Sequence, residues 1–307
     1  MLAIDRVAFS IFGLDIYWYA IIITCGMILG VIVALTLTKK RGLKTDDIMD
    51  IMLWTIPIAI IGARLYYVAF EWDSTWTFAQ IFQTRNGGLA IYGAVLFGAL
   101  TAVLVCRYKK LSLRQVFMIL DCFVVGVILG QCIGRWGNFI NQEAFGNLIT
   151  NEALMFFPYG VNIDGLWYQA TFFYESMWNL VGFICLFIFA YKKPKIVGVS
   201  TCSYFIFYGI GRFWIEGLRS DSLYFMKETL GEVIRVSQVL SLILVILGAI
   251  GLYFVIKRNL AFNKKSAELA AQGEIETVIN VDNSTEKTEV VVEIKEENGD
   301  SDKKDNE

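Results

Sequence analysis

The stretch FVVGVILGQCIGRWGNFINQEAFG, residues 123 to 146, begins as an apolar run and ends in polar and charged residues. Extended back to residue 115, its apolar part is long enough to cross a membrane, which takes about 20 mostly apolar residues in a helix. Arg135, Asn138, Asn141 and Glu143 then follow within nine residues. The stretch therefore predicts a membrane-spanning helix with a polar cluster at one end.

The composition of the whole chain is also typical of a membrane protein. Of its 307 residues, 56% are hydrophobic and 18% are charged, which leaves too little polar surface for a soluble domain of this length. Apolar stretches of helix length predict an all-α integral membrane protein with about seven transmembrane helices. The predicted spans are residues 16–38, 48–70, 88–106, 115–136, 170–191, 197–217 and 237–256.

Basic residues in the predicted loops indicate the direction of the spans. Fifteen Lys and Arg fall on one side and five on the other, and cytoplasmic loops carry the excess of these residues. The N-terminus is therefore expected outside and the C-terminus in the cytoplasm. Residues 1–260 are expected to form the seven-helix transmembrane domain. Residues 261–307, rich in charged and small polar residues, are expected to form an acidic disordered cytoplasmic tail.

Polar residues inside the predicted spans collect in the outer half of the membrane. A charge at the centre of a span costs about 2.5 to 3.5 kcal/mol on insertion scales, so each needs a partner or a function. These residues are Tyr19, Arg64, Asn86, Tyr92, Arg135, Tyr174, Glu175, Tyr208, Arg212 and Glu216. Arginines at this depth suit a phosphate, which a guanidinium group binds through two hydrogen bonds. The expected ligand is an anionic phospholipid headgroup.

Structural roles stay open for several of these residues. Arg212 and Glu216 have the spacing of a buried ion pair, whereas no acidic residue stands at similar spacing from Arg135. Tyr19 also suits an interfacial aromatic belt, and the side chain of Arg64 is long enough to reach the outer headgroups. A helix cap is the structural alternative for Asn138, Asn141 and Glu143.

The residue content excludes several classes of function. The chain has no histidine, which excludes a histidine base, a Ser-His-Asp triad and a His-ligated metal. Its six cysteines lie in or beside apolar runs and read as small core residues. No metal, cofactor or nucleic acid is expected. Two alternatives stay open. A seven-span transporter or receptor would be expected to place its charges at the midplane, and a metal-dependent phosphatidyltransferase would need clustered carboxylates.

Several motifs resemble those of the bacterial prolipoprotein diacylglyceryl transferases. The most specific is GRWGNFINQEAFG at residues 134–146, and others occur in the family's order. They are YWYA at 17–20, GARLYYV at 62–68, NGGLAIYGA at 86–94, TFFYESMWNLVGF at 171–183 and YGIGRFWIEGLRSD at 208–221. The resemblance covers about residues 10–258 and implies a seven-span membrane enzyme, with residues 1–260 as its catalytic domain.

The resemblance also implies a reaction and its partners. The diacylglyceryl group of phosphatidylglycerol would move to the lipobox cysteine thiol of a prolipoprotein signal peptide, giving a thioether and releasing glycerol phosphate. This transfer is the first step of bacterial lipoprotein maturation. The enzyme would be a multi-pass protein of the bacterial cell membrane, surrounded by membrane lipids.

The family's two essential arginines correspond to Arg135 and Arg212. From the residues and the resemblance together, the catalytic candidates are Arg135, Arg212, Tyr19 and Tyr92. The candidates for substrate binding are Arg135, Asn138, Asn141, Glu143, Gly146, Tyr208, Glu216 and Arg64. Tyr92 stands where some members carry a histidine proposed as the base, so that mechanism cannot apply. A thiol has a pKa of about 8.5, lowered further by cations, and Tyr92, Tyr19 and Glu143 remain alternative proton acceptors.

Overall fold

The computed structural model describes residues 5–72, 76–82, 87–219, 235–271, 275–281 and 288–294. Most of them lie in α-helices joined by loops and short hairpins. The helices are α1 (Trp18–Lys40), α2 (Thr45–Phe70), α3 (Phe78–Phe82), α4 (Ile91–Tyr108), α5 (Leu113–Asn141), α6 (Thr171–Lys192), α7 (Val199–Leu218) and α8 (Val236–Ala271). The strands are β1 (Val7–Ile11), β2 (Leu14–Tyr17), β3 (Gly160–Ile163), β4 (Leu166–Gln169), β5 (Ile275–Val281) and β6 (Thr288–Ile294).

Six of the described helices are long and apolar enough to cross a membrane. They are α1, α2, α4, α5, α6 and the part of α8 up to residue 261. The predicted class of an all-α integral membrane protein is confirmed. The remaining predicted span, residues 197–217, corresponds to α7, a helix of 20 residues whose Arg212, Glu216 and hydroxyl side chains lower its hydropathy. The count of seven and the orientation stay predictions.

Helix α5 is the centre of the packing, because it contacts α1, α6 and α7, while α2 packs on α4. Glycines bring α1 and α5 close together: a Cβ atom on Gly30 would lie 2.7 Å from the carbonyl oxygen of Gly126. Small residues commonly mediate such close approaches between membrane helices. Around this crossing, Leu37, Val125 and Ile128 form part of a buried apolar core.

A buried ion pair joins α1, α5 and α7 at the predicted cytoplasmic side. The Arg41 guanidinium lies 3.1 Å from the Asp121 carboxylate, and neither side chain is exposed. Asp121 also accepts hydrogen bonds from the backbone N–H of Gly198 and from both the N–H and the hydroxyl of Thr201. These contacts place the starts of α5 and α7 side by side, so that both helices run in the same direction toward the opposite side.

The structure divides into two units, Met1–Leu252 and Tyr253–Glu307. In the second unit α8 continues to Ala271, and β5 pairs with β6 as an antiparallel hairpin. The described residues after 260 therefore have regular structure where the composition predicts disorder. The strand sequences IETVINV and TEVVVEI are rich in β-branched residues, which favours strands. The division into a domain and an acidic tail at residue 260 stays a prediction.

Candidate active site

The polar end of α5 folds back on itself. Gln142 has a φ of 55°, a left-handed conformation that commonly ends helices. The turn lets the backbone N–H of Glu143 donate to the carbonyl of Asn138 at 3.0 Å. The side-chain amides of Asn138 and Asn141 donate to the same Glu143 carboxylate oxygen at 3.0 and 3.2 Å. Backbone hydrogen bonds therefore close the helix end, and the two amides hold one exposed carboxylate in place.

Tyr19 lies beside this turn. Its ring packs on Gly137, where a Cβ atom would lie 2.6 Å from the Tyr19 ring carbon Cδ2. Only a glycine at 137 allows this approach. The Tyr19 hydroxyl is close enough to Glu143 and Arg135 to interact with both electrostatically. The first turn of α1 thus joins the end of α5 in one site.

Two arginines and two glutamates form the charged centre of the site. We call its arginines, Arg135 and Arg212, the arginine pair. Glu175 of α6 forms ion pairs with Arg135 of α5 and with Arg212 of α7, the latter at 3.3 Å. Arg212 also pairs with Glu216 at 2.8 Å. The glutamate side chains are only 4% and 2% exposed, whereas those of Arg135 and Arg212 are 20% and 18% exposed. The arginine side chains are therefore partly accessible at the protein surface, and the glutamate side chains are not.

The pairing of Arg212 with Glu216 was predictable from their spacing and is present in the structure. The partner of Arg135 was not, because Glu175 lies on another helix, and the lack of an acid near Arg135 in the sequence does not mean that it is unpaired. Glu175 is the site residue that the candidate set missed. Its one sequence signal is a single carboxylate in the outer half of a predicted span.

One contact in this centre is a hydrogen bond, from Nη1 of Arg212 to Oε2 of Glu175 at 3.3 Å, and two others are ionic only. Oε1 of Glu175 and Oε2 of Glu216 lie within ion-pair distance of the arginines but lack hydrogen-bond geometry to them. The guanidinium N–H groups are therefore not all directed at the carboxylates. Since arginine carries five N–H donors, some are left to bind an anionic ligand that enters from the exposed side.

Tyr208 extends the site along α7. It lies four residues before Arg212, and its ring stacks on that of Tyr204 at 5.6 Å between centroids. Its hydroxyl interacts electrostatically with both arginines and both glutamates of the charged centre. Tyr208 is thus placed beneath the arginine pair, as its position on the same helix face predicts.

Arg64 and Tyr92 belong to the pair formed by α2 and α4. Arg64 donates through Nε to the carbonyl of Ile81 at 2.8 Å and through Nη1 to that of Gly88 at 2.8 Å. Tyr92 is 47% exposed, and the centroid of its ring lies 6.3 Å from that of the Tyr66 ring. The described contacts of Arg64 and Tyr92 thus lie around α2 and its following loop, and their substrate roles stay predictions.

Gly146 lies where the ends of α5 and α7 meet the start of α6. Its N–H donates to the carbonyl of Gln169 at 2.9 Å, and it pairs with Arg219 in an isolated β-bridge. A Cβ atom on Gly146 would lie 2.8 Å from Cβ of Gln169 and 2.9 Å from both the Leu218 carbonyl oxygen and Cγ2 of Thr171. The position therefore has no room for a side chain.

We expect Gly146→Ala to destabilise the protein by about 1 to 3 kcal/mol, the usual cost of overpacking. Thermal unfolding of the purified protein would measure the change. Gly217→Ala is the matched control, because the nearest atom to its Cβ would be 3.8 Å away. It should unfold at nearly the wild-type temperature. Equal unfolding temperatures for Gly146→Ala and the wild type would contradict the tight packing at this junction.

Comparisons with known proteins agree on one family. The sequence model described as "Prolipoprotein diacylglyceryl transferase" matches residues 6–254. The phosphatidylglycerol–prolipoprotein diacylglyceryl transferase of Finegoldia magna is 45% identical over 80% of this chain and 94% of its own length. The protein of the same name from Enterococcus faecalis is 46% identical over 83% of this chain and 92% of its own. That from Clostridioides difficile is 43% identical over 83% and 97%.

Proposed function

Because the chain belongs to the prolipoprotein diacylglyceryl transferase family, we propose that the site between α1, α5, α6 and α7 carries out the family's transfer. The chain is a transferase that moves the diacylglyceryl group of phosphatidylglycerol to a prolipoprotein. The acceptor is the thiol of the lipobox cysteine in the signal peptide, and the second product is glycerol phosphate.

In this proposal the chain crosses the bacterial cell membrane seven times, with the N-terminus outside and the C-terminus in the cytoplasm. The excess of basic residues on one side supports the orientation. Helix α7 is the span of lowest hydropathy, and pairing Arg212 with two glutamates offsets the cost of its charge in the membrane. The site then opens near the outer headgroups, where phosphatidylglycerol and membrane lipids can reach it.

The observation that carries the proposal is the single carboxylate of Glu175 between Arg135 and Arg212. It holds two guanidinium groups close together, and their exposed edges can bind one lipid phosphate. During transfer, negative charge grows on the phosphate oxygen that leaves the glycerol carbon. Preorganised donors at this oxygen stabilise the transition state more than the ground state. Glu175 and Glu216 orient the donors from behind.

The chemistry is a substitution at the glycerol carbon bound to phosphate. A bond forms between the cysteine sulfur and that carbon, the carbon–oxygen bond breaks, and glycerol phosphate departs with the bonding electrons. The thiol proton goes to a base in the site. The geometry favours the carboxylate of Glu143, which is held by two amides and interacts electrostatically with Tyr19. Tyr92 has its described ring contact on α2 instead.

Mass measurement tests the proposed function directly. Purified protein incubated with phosphatidylglycerol and a peptide containing a lipobox cysteine should add the mass of one diacylglyceryl unit to the peptide. The same peptide with serine in place of cysteine is the control and should stay unmodified. A folded protein that leaves the cysteine peptide unmodified would contradict the proposal. Solute flux without lipid modification would instead favour a transporter.

A further inference from the structure

A second polar layer lies one helical turn below the arginine pair. Its members stand four residues from the charged residues of the same helices and are Gln131 on α5, Asn179 on α6 and Tyr208 on α7. Residues four apart share a helix face and differ in height by about 5.4 Å, one turn. Because α6 runs opposite to α5 and α7, all three lie deeper in the membrane than the charges. We call this level the amide layer after its two amides, Gln131 and Asn179.

Asn179 faces the interior of the three-helix packing. It is 1% exposed. One turn above it, Glu175 contacts an arginine from each of α5 and α7. One turn below it, a Cβ atom on Gly182 would contact the Phe207 ring of α7 and would lie 2.6 Å from Cδ1 of Ile128 on α5. Asn179 lies between these two contacts and on the same face.

The amide of Asn179 is unpartnered within the described part of the chain. Both its Nδ2 and its Oδ1 are buried without a hydrogen bond, and so is Oε1 of Gln131. The Gln131 Nε2 atom donates to the Tyr204 hydroxyl at 3.0 Å. Buried amides are nearly always hydrogen-bonded, because leaving them unpaired opposes folding. Asn179 lacks a partner for both its donor and its acceptor and lies one turn below the arginine pair, so a polar group of a ligand bound there could pair with it.

The order of polar layers in the protein matches the order of groups in a diacyl phospholipid. The phosphate is outermost, the two ester groups follow a few bonds deeper, and the acyl chains come last. Below the amide layer, a groove of about 330 Å³ opens between α6, α7 and α8. Its lining is apolar and includes Gly182, Phe207 and Leu252. Gly182 follows Asn179 by about one turn of α6 and lines the groove, so the groove lies at the depth where acyl chains would follow their esters.

We propose that Asn179 donates a hydrogen bond from Nδ2 to an ester carbonyl of the bound lipid and so selects ester-linked lipids. The inference rests on the proposed function, since it takes the phosphate to be at Arg135 and Arg212. A lipid held at its phosphate and at an ester has its reacting carbon fixed between the two contacts. Asn179 determines lipid specificity and does not touch the reacting atoms.

The test compares phosphatidylglycerol carrying two ester-linked chains with its analogue carrying two ether-linked chains of equal length. We expect wild-type kcat/KM to be about fivefold to tenfold higher with the ester lipid, the effect of one hydrogen bond. Asn179→Leu keeps a side chain of similar size without the amide. It should lower kcat/KM with the ester lipid to the ether value and leave the ether value unchanged. General structural damage would lower both values together.

Ser200→Ala is the matched control. Ser200 is fully buried near the start of α7, and its hydroxyl lacks a hydrogen-bond partner among the described residues, so its loss should leave the ester-to-ether ratio unchanged. Equal kcat/KM for both lipids in the wild type would overturn the proposal and leave water as the occupant of the amide. This outcome needs no variant to fold. If the folded wild-type protein transfers the diacylglyceryl group from neither lipid, the result would instead contradict the proposed function.

Discussion

Replacing Arg135 or Arg212 with alanine is expected to lower kcat for diacylglyceryl transfer by about 100-fold to 1,000-fold, the usual cost of removing one preorganised donor from a developing negative charge. Both guanidinium groups pair with Glu175 and keep an exposed edge, so each loss removes stabilisation of the departing phosphate oxygen. The measurement is the rate at which a lipobox peptide gains the mass of one diacylglyceryl unit.

Lysine at either position tests whether the positive charge alone is enough or the hydrogen-bond geometry of arginine is also required. A lysine keeps the positive charge but cannot bind a phosphate through two parallel hydrogen bonds, so Arg135→Lys and Arg212→Lys should fall between alanine and the wild type. Arg107→Ala is the control, since Arg107 is exposed in the last turn of α4 and should transfer at the wild-type rate. Near wild-type turnover by a folded Arg135→Ala protein would remove Arg135 from the catalytic site.

Replacing Glu175 with glutamine is expected to destabilise the protein by about 3 to 5 kcal/mol, the cost of breaking a buried ion pair and leaving its partner without compensation. Glu175 is 3% exposed and faces two arginines, which would then repel each other without a carboxylate between them. The transition in thermal unfolding should fall by roughly 10 °C. Transfer should fall too, because the two guanidinium groups separate.

Glu143→Gln provides the contrast for this prediction. Glu143 is exposed and accepts from two side-chain amides, so its neutral replacement should unfold near the wild-type temperature while transferring more slowly. One carboxylate would thus be required for the structure and the other for proton transfer. Wild-type unfolding of Glu175→Gln would show that the arginine pair does not depend on it.

The membrane helices were predictable because hydropathy is a local property. The predicted span 115–136 lies within α5, and its end differs for a specific reason. The helix continues five residues further, through Asn138 and Asn141. It ends there because Gln142 adopts a left-handed conformation. Apolar content sets where a span enters the membrane, but the backbone conformation of a single residue decides where the helix stops.

Contacts between helices were less predictable. The spacing on α7 was sufficient to predict the pair of Arg212 with Glu216, which are neighbours on one helix face. The contact of Arg135 with Glu175 joins residues 40 positions apart. Arg64 shows the reverse case, since a residue that suits a phosphate donates to the carbonyls of Ile81 and Gly88 in its own chain.

By itself the sequence determined that this is a helical membrane protein, because the length and hydropathy of its spans are local properties of the chain. Its motifs also determined the family. Only the tertiary structure decided which charges meet. The positions of Glu175 between two arginines and of Asn179, which has no hydrogen-bond partner among the described residues, depend on how α5, α6 and α7 are rotated against each other. Packing across the whole bundle sets those rotations.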